Sequence, residues 1–196
     1  GRDQANAVSS AYDIGSDGND PFLDFIVQQP TNAENANIDG WELNWVHFFT
    51  GEEFGALNLA GFGFQANATF VNGDVGFDFT ADPNTEDQFA LTGLSDSANL
   101  QLFYENERFA VRVLYNWRDE FLANTNVGNR VPRIVDEFQQ LDFSASYAAT
   151  DNLTFTLEGI NLLEEPVIWR GRTDQQLQMY VEGDARYLLG ARYVFQ

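Results

Sequence analysis

From Phe109 to Arg118 the chain reads Phe-Ala-Val-Arg-Val-Leu-Tyr-Asn-Trp-Arg, large apolar residues alternating with mostly polar ones. Successive side chains of a β-strand point to opposite faces, so Phe109, Val111, Val113, Tyr115 and Trp117 share one face. Ala110, Arg112, Leu114, Asn116 and Arg118 share the other. The same period returns along the chain. Trp41, Leu43, Trp45 and Phe49 alternate with Glu42, Asn44 and Val46. Phe62, Phe64, Ala66, Ala68 and Phe70 alternate with Gly63, Gln65, Asn67 and Thr69. Ala98, Leu100, Leu102 and Tyr104 alternate with Asn99, Gln101 and Phe103. Leu141, Phe143, Ala145 and Tyr147 alternate with Gln140, Asp142, Ser144 and Ser146. Leu153, Phe155 and Leu157 alternate with Thr154, Thr156 and Glu158, and Tyr187, Leu189, Ala191, Tyr193 and Phe195 with Arg186, Gly190, Arg192 and Val194. The pattern predicts an all-β chain of seven strands, with Phe22–Gln29 as a candidate eighth.

A soluble sandwich also alternates, so the period alone leaves two architectures open. Three features favour a membrane wall. The polar faces are rich in Asn, Gln, Ser, Thr, Arg and Glu, as a water-filled lumen requires. Aromatic residues stand near the ends of the apolar faces (Trp41, Tyr104, Trp117, Tyr147 and Tyr193), where interfacial girdles form. The connections also alternate in length. Short links follow Tyr104 (Glu105-Asn106-Glu107) and Tyr147 (through Thr150-Asp151-Asn152), whereas long polar ones cover roughly Gly73–Thr92, Leu122–Glu137 and Leu163–Glu182. Short periplasmic turns and long outer loops are the pattern of outer-membrane barrels. The Thr50–Asn58 link, on the short-turn side, is longer than that pattern expects.

Thirty acidic residues face ten arginines and no lysine, a formal net charge of -20. Binding a nucleic-acid backbone or an anionic lipid surface needs a basic face, and the composition argues against both. Much of the acid sits in the long connections (Asp13, Asp17, Asp20, Asp74, Asp82, Glu86, Asp87, Glu164, Glu165, Asp174), as solvated loop surface. Cysteine is absent, which removes disulfides, thiolate metal sites and thiol nucleophiles. No apolar run is long enough for a transmembrane helix. The chain opens Gly1-Arg2-Asp3 with no signal-peptide pattern.

Catalytic candidates are few. His47, the sole histidine, shares a face with Trp45 and Phe49 and is read as turn-proximal, with no serine partner. The polar-face carboxylates Glu42, Asp142 and Glu158 lie on different strands and are read as lumen lining rather than as an acid/base pair. Asp13–Asp20 has carboxylates at calcium-like density but not the glycine and glutamate positions of the helix-flanked calcium loop. No catalytic, cofactor-binding or metal residue is assigned, and the chain is not expected to be an enzyme. In the loop Val167-Ile168-Trp169-Arg170-Gly171-Arg172, an aromatic platform beside guanidinium forks suits sugars, acids or chelates. Trp169, Arg170 and Arg172 are therefore the substrate-contact candidates, with Arg112 and Arg118 added from the polar face, although loop anchoring and bridges to nearby carboxylates are their plainer roles.

Several stretches, in order, resemble TonB-dependent receptors. Asn35-Ala36-Asn37-Ile38-Asp39-Gly40-Trp41-Glu42-Leu43 looks like a strand of that family, followed by Gly63–Phe70. Leu91-Thr92-Gly93-Leu94-Ser95 leading to Asn99 and Tyr104, Ala110–Val113 with Trp117-Arg118-Asp119, and Glu158–Glu165 are similar to its next patterns. The C-terminal run with Gly190, Tyr193 and Phe195 looks like an outer-membrane assembly signal, displaced by one residue because Gln196 follows. The resemblance implies an antiparallel transmembrane β-barrel of about 22 strands, of which residues 1–196 would be a C-terminal segment of 7–8 strands. Residues 1–30 would be mostly extracellular loop, and the plug and TonB box would lie elsewhere. The implied partners are outer-membrane lipid, the barrel-assembly machinery, TonB through the missing N-terminal region, and a scarce small-molecule or oligosaccharide nutrient; no cofactor is implied. The alternatives are a small complete eight-stranded outer-membrane barrel, adhesive or structural, and a soluble β-sandwich binding module.

Overall fold

The computed structural model describes residues 35–51, 53, 58–82 and 88–195. Phe22–Gln29, the Asp13–Asp20 cluster and residues 1–30 as a whole lie outside them. Eleven strands follow in order: β1 (Ile38–Phe48), β2 (Phe62–Gly73), β3 (Ser97–Glu105), β4 (Phe109–Arg118), β5 (Phe121–Asn124), β6 (Arg133–Val135), β7 (Phe138–Ala148), β8 (Leu153–Ile160), β9 (Val167–Arg170), β10 (Leu177–Val181) and β11 (Arg186–Tyr193). There is no helix among the described residues.

The seven strands predicted from alternation form one antiparallel sheet, ordered β1-β2-β3-β4-β7-β8-β11. Their bounds differ from the prediction by a few residues. Phe49 lies just past β1, its N–H donating to the Phe62 carbonyl (2.9 Å), and Phe195 lies past β11. Register carries the alternation from strand to strand. Trp45 pairs with Ala66, Ala66 with Leu100, Leu100 with Tyr115 and Tyr115 with Leu141, so one face stays apolar across the sheet. A one-residue slip anywhere would exchange the faces of every later strand.

Among the described residues nothing packs over that apolar face. Trp41 is 76% exposed and Leu189 83%. The sandwich reading required these faces to meet in a core, and they do not. Among the described residues the buried apolar side chains are Ala90, Pro132, Ile134 and Val135. Two of these four, Ile134 and Val135, belong to a second, smaller sheet, and Pro132 stands just before its strand β6.

The smaller sheet is where the structure departs from the sequence reading. The segments expected as long polar loops, Leu122–Glu137 and Leu163–Glu182, contain short strands that pair in the order β10-β9-β6-β5. Each is only three to five residues long, too short for a period to show. The pairing that joins the two loops, Ile134 with Arg170 and Val135 with Trp169, links residues far apart in sequence. It closes on the apolar pair Ile134 and Val135, whose burial offsets the entropy of ordering two long loops.

The connections fall on two sides. Links 106–108 and 149–152 are short and share a side with the 49–61 connection; the long segments share the other. In the first, the Asn106 side chain accepts from the Arg108 and Phe109 N–H groups. Gly63 on β2 is required by a close approach. A Cβ there would come within 2.4 Å of the Phe103 ring, which reaches across to Phe48 with ring centres 5.2 Å apart.

Candidate substrate-facing wall and outer-loop sheet

The predicted girdle residues occupy both ends of the apolar face. At the short-turn end Tyr104 stands against Phe62 (4.5 Å) and its hydroxyl accepts from Asn106 Nδ2, while Tyr147 stacks on Phe109 at 4.6 Å. At the long-loop end Trp41 pairs with Phe70, and Trp117 donates through Nε1 to Glu137. Each Tyr104 and Trp117 ring thus has an apolar body and a wet tip. His47 lies between Phe49 (4.7 Å) and Phe64 (6.0 Å) on the same face. Of the residues read from the sequence as an assembly signal, Tyr193 and Phe195 meet edge to face at 4.8 Å beside the short-turn end, and Gly190 sits against Thr156.

Arg112 stands on the polar face between Phe103 and Ser144, with Glu158 next in the same row. Its guanidinium lies 3.8 Å from Glu105, and both side chains are more than half exposed, so the pair contributes little. Two hollows of about 230 and 190 Å³ flank it, lined by Ser144 and Glu158, with Ser146 and Thr156 in one and Gln101 and Asp142 in the other. The structure therefore brings Asp142 and Glu158 to one hollow and leaves Glu42 strands away, opposite Thr69 on β2. Asp142 accepts from the Asn161 N–H and from Gln140 Nε2. A larger apolar hollow of about 560 Å³ lies on the opposite face, over Ala66, Ala68 and Ala98 between Trp45 and Tyr115.

Arg118, at the long-loop end of the polar face, lies over the Phe121 ring at 4.8 Å, with its Nε buried and without a hydrogen-bond partner. The three candidates of the 167–172 loop are engaged by the chain itself. Arg133 covers one face of Trp169 at 4.4 Å. Arg170 donates to Glu120 and to Asp136 (2.7 Å), with Asp174 at 3.6 Å. Partial burial works against its charge, but the bonds and attraction from Glu120 and Asp136 outweigh it and raise its pKa above the ordinary guanidinium value. Arg172 donates to the carbonyls of Phe79, Ala81 and Arg130. These residues tie three loops together.

One feature of the polar face was not anticipated residue by residue. Asn44 pairs with Asn67, Asn67 with Asn99, Asn99 with Asn116, and Asn116 with Gln140. Five side-chain amides thus stand in one row across five strands, mid-strand on β1 and β2 and near the long-loop end of β3, β4 and β7. Each of the five strands shows an amide on its polar face, which was the available signal; only register aligns them.

An uncovered apolar face, a polar opposite face and loops gathered on one side define the wall of an outer-membrane β-barrel. The family described as TonB dependent receptor-like, beta-barrel matches residues 2–162, and the chain belongs to that family of Gram-negative outer-membrane receptors and transporters. No curated protein and no solved structure matches it.

Proposed function

We infer that residues 1–196 are the C-terminal part of a receptor barrel that takes up a scarce nutrient, an oligosaccharide, a siderophore or a similar solute, with energy delivered by TonB. The reading rests on one observation above all. The seven-stranded sheet has two edges, β1 and β11, that do not pair with each other among the described residues. An open edge leaves unpaired N–H and C=O groups that hydrocarbon cannot satisfy, so such a wall needs further strands. Residues 1–30 then belong mostly to an outer loop. The plug and the TonB-contacting box are supplied by the rest of the receptor. Gly190, Tyr193 and Phe195 address the barrel-assembly machinery, and Trp41, Tyr104, Trp117 and Tyr147 anchor the wall at the two lipid interfaces. The outer-loop sheet, held by Trp169, Arg170 and Arg172, shapes the entrance, and Arg112 and Arg118 line the path. The chain carries out no chemistry on its solute.

Sequencing the gene upstream of the Gly1 codon tests this reading. The expected result is an open frame that continues back through further strands, a plug and a TonB box, whose product supports uptake only in cells with TonB. A signal peptide ending directly before Gly1 would replace it with a small self-contained barrel.

A further inference from the structure

Resting on that transport reading, we propose that the row Asn44, Asn67, Asn99, Asn116 and Gln140 is a hydrogen-bonding track selecting a neutral, polyhydroxylated solute. Adjacent strands lie about 4.8 Å apart, so the row presents an amide at regular intervals along a line crossing five strands. Each amide offers both donors and an acceptor, the combination that matches hydroxyl groups, which themselves donate and accept. The row is also short of internal partners. Among the described residues the side-chain bonds within it reduce to Asn99 Nδ2 donating to Asn67 Oδ1 at 2.7 Å, while Gln140 Nε2 is taken by Asp142. Asn44 is exposed and Asn116 half-buried. Neighbouring rows mix this chemistry with charge: Glu42, Thr69, Ser97 and Arg118 stand in the row toward the loops, and Gln65, Gln101 and Asp142 in the row toward the short turns.

Charge decides which solute class reaches the row. The described long-loop segments (74–82, 88–96, 119–137 and 161–185) hold thirteen carboxylates against four arginines. The arginines are drawn into contacts within the chain, Arg170 by Glu120 and Asp136, Arg172 by backbone carbonyls, and Arg133 by Trp169 and by Gln178 at 3.2 Å. These loops therefore carry a negative field that repels anionic solutes. A cationic solute would be drawn to the loops, but the row itself is uncharged and the charges beside it are of both signs, Glu42 and Asp142 against Arg118, with Asp142 already accepting from Gln140 and the Asn161 N–H. A neutral polyol is the class that both regions accept.

The test uses the full-length receptor containing this chain, purified from outer membranes and applied to an array of neutral, carboxylated and amino oligosaccharides. Retention is expected among the neutral oligosaccharides. The double substitution Asn67→Leu/Asn99→Leu should weaken it about tenfold, the size of one to two lost hydrogen bonds, without changing the heat-modified gel mobility of the folded barrel. If that variant does not assemble, Asn116→Leu alone gives the same reading. Preference for carboxylated or amino oligosaccharides, no retention at all, or unchanged retention by an assembled variant would overturn the proposal. Uptake of the retained sugar in cells with and without TonB reports separately on transport. Loss of TonB dependence sinks that reading and leaves the track standing, whereas a failed track leaves TonB-dependent uptake intact.

Discussion

Just past β1, on the short-turn side, the Glu53 carboxylate accepts from the N–H groups of Thr50 and Gly51 at 2.9 to 3.1 Å. These bonds favour the charged form, the Thr50 N–H foremost, and hold the pKa at about 2, below the ordinary 4.5. A depressed carboxylate pKa means that its contribution is complete above about 4.5 and is lost as the pH falls toward 2. Protection of the Thr50 and Gly51 amides from hydrogen exchange should therefore fall across that window, and Glu53→Gln should reproduce the loss at neutral pH. Equal protection in the variant and the parent would remove Glu53 from this role. His47 stood out in the sequence and Glu53 did not, because the carboxylate's grip on the backbone depends on a loop conformation that no spacing reveals.

At the scale of elements, two of the long loops are not polar filler but a second sheet that holds the buried Ile134 and Val135, with the buried Pro132 just before β6. Arg170 joins its two halves, since Glu120 and Asp136 come from the 119–137 loop and Arg170 from β9. Replacing Arg170 by Met leaves two carboxylates facing each other without their cation, and the loss should be about 1–3 kcal/mol. It should be confined to the loop sheet. Hydrogen exchange would then rise in β6 and β9 while β3, β4 and β7 stay protected. A uniform rise across all strands would show instead that the loops and the wall unfold together. The Val167–Arg172 stretch stood out in the sequence for its aromatic and cationic groups. Its partners Glu120, Asp136 and Arg133 did not, because they lie more than thirty residues away along the chain and meet it only through loop pairing.

For the whole molecule, the two faces of the wall meet different solvents, and neighbouring residues should therefore respond oppositely to the same change. Leu100 lies mid-strand on the apolar face and Gln101 beside it on the polar face. In the full-length receptor reconstituted in lipid vesicles, Leu100→Arg should cost about 2–4 kcal/mol, the penalty for a cation facing the bilayer midplane. Gln101→Arg should be nearly neutral. Urea unfolding of the two variants measures the difference, and equal costs would contradict the assignment of faces.

The sequence by itself determined the strands of the wall, their faces and the side on which the loops gather. These depend on a period of two and on turn lengths, which are local properties of the chain. Tertiary structure alone decided how the strands align and what the loops do. Register set the amide row, because five residues that are each unremarkable within their own strands become one feature when the strands are hydrogen-bonded in a fixed order. Long-range pairing set the loop sheet, because strands this short are stable only when a distant partner helps to bury Ile134 and Val135. Trp169, Arg170 and Arg172 show the same division: their chemistry was legible in the sequence, and the groups they hold were not.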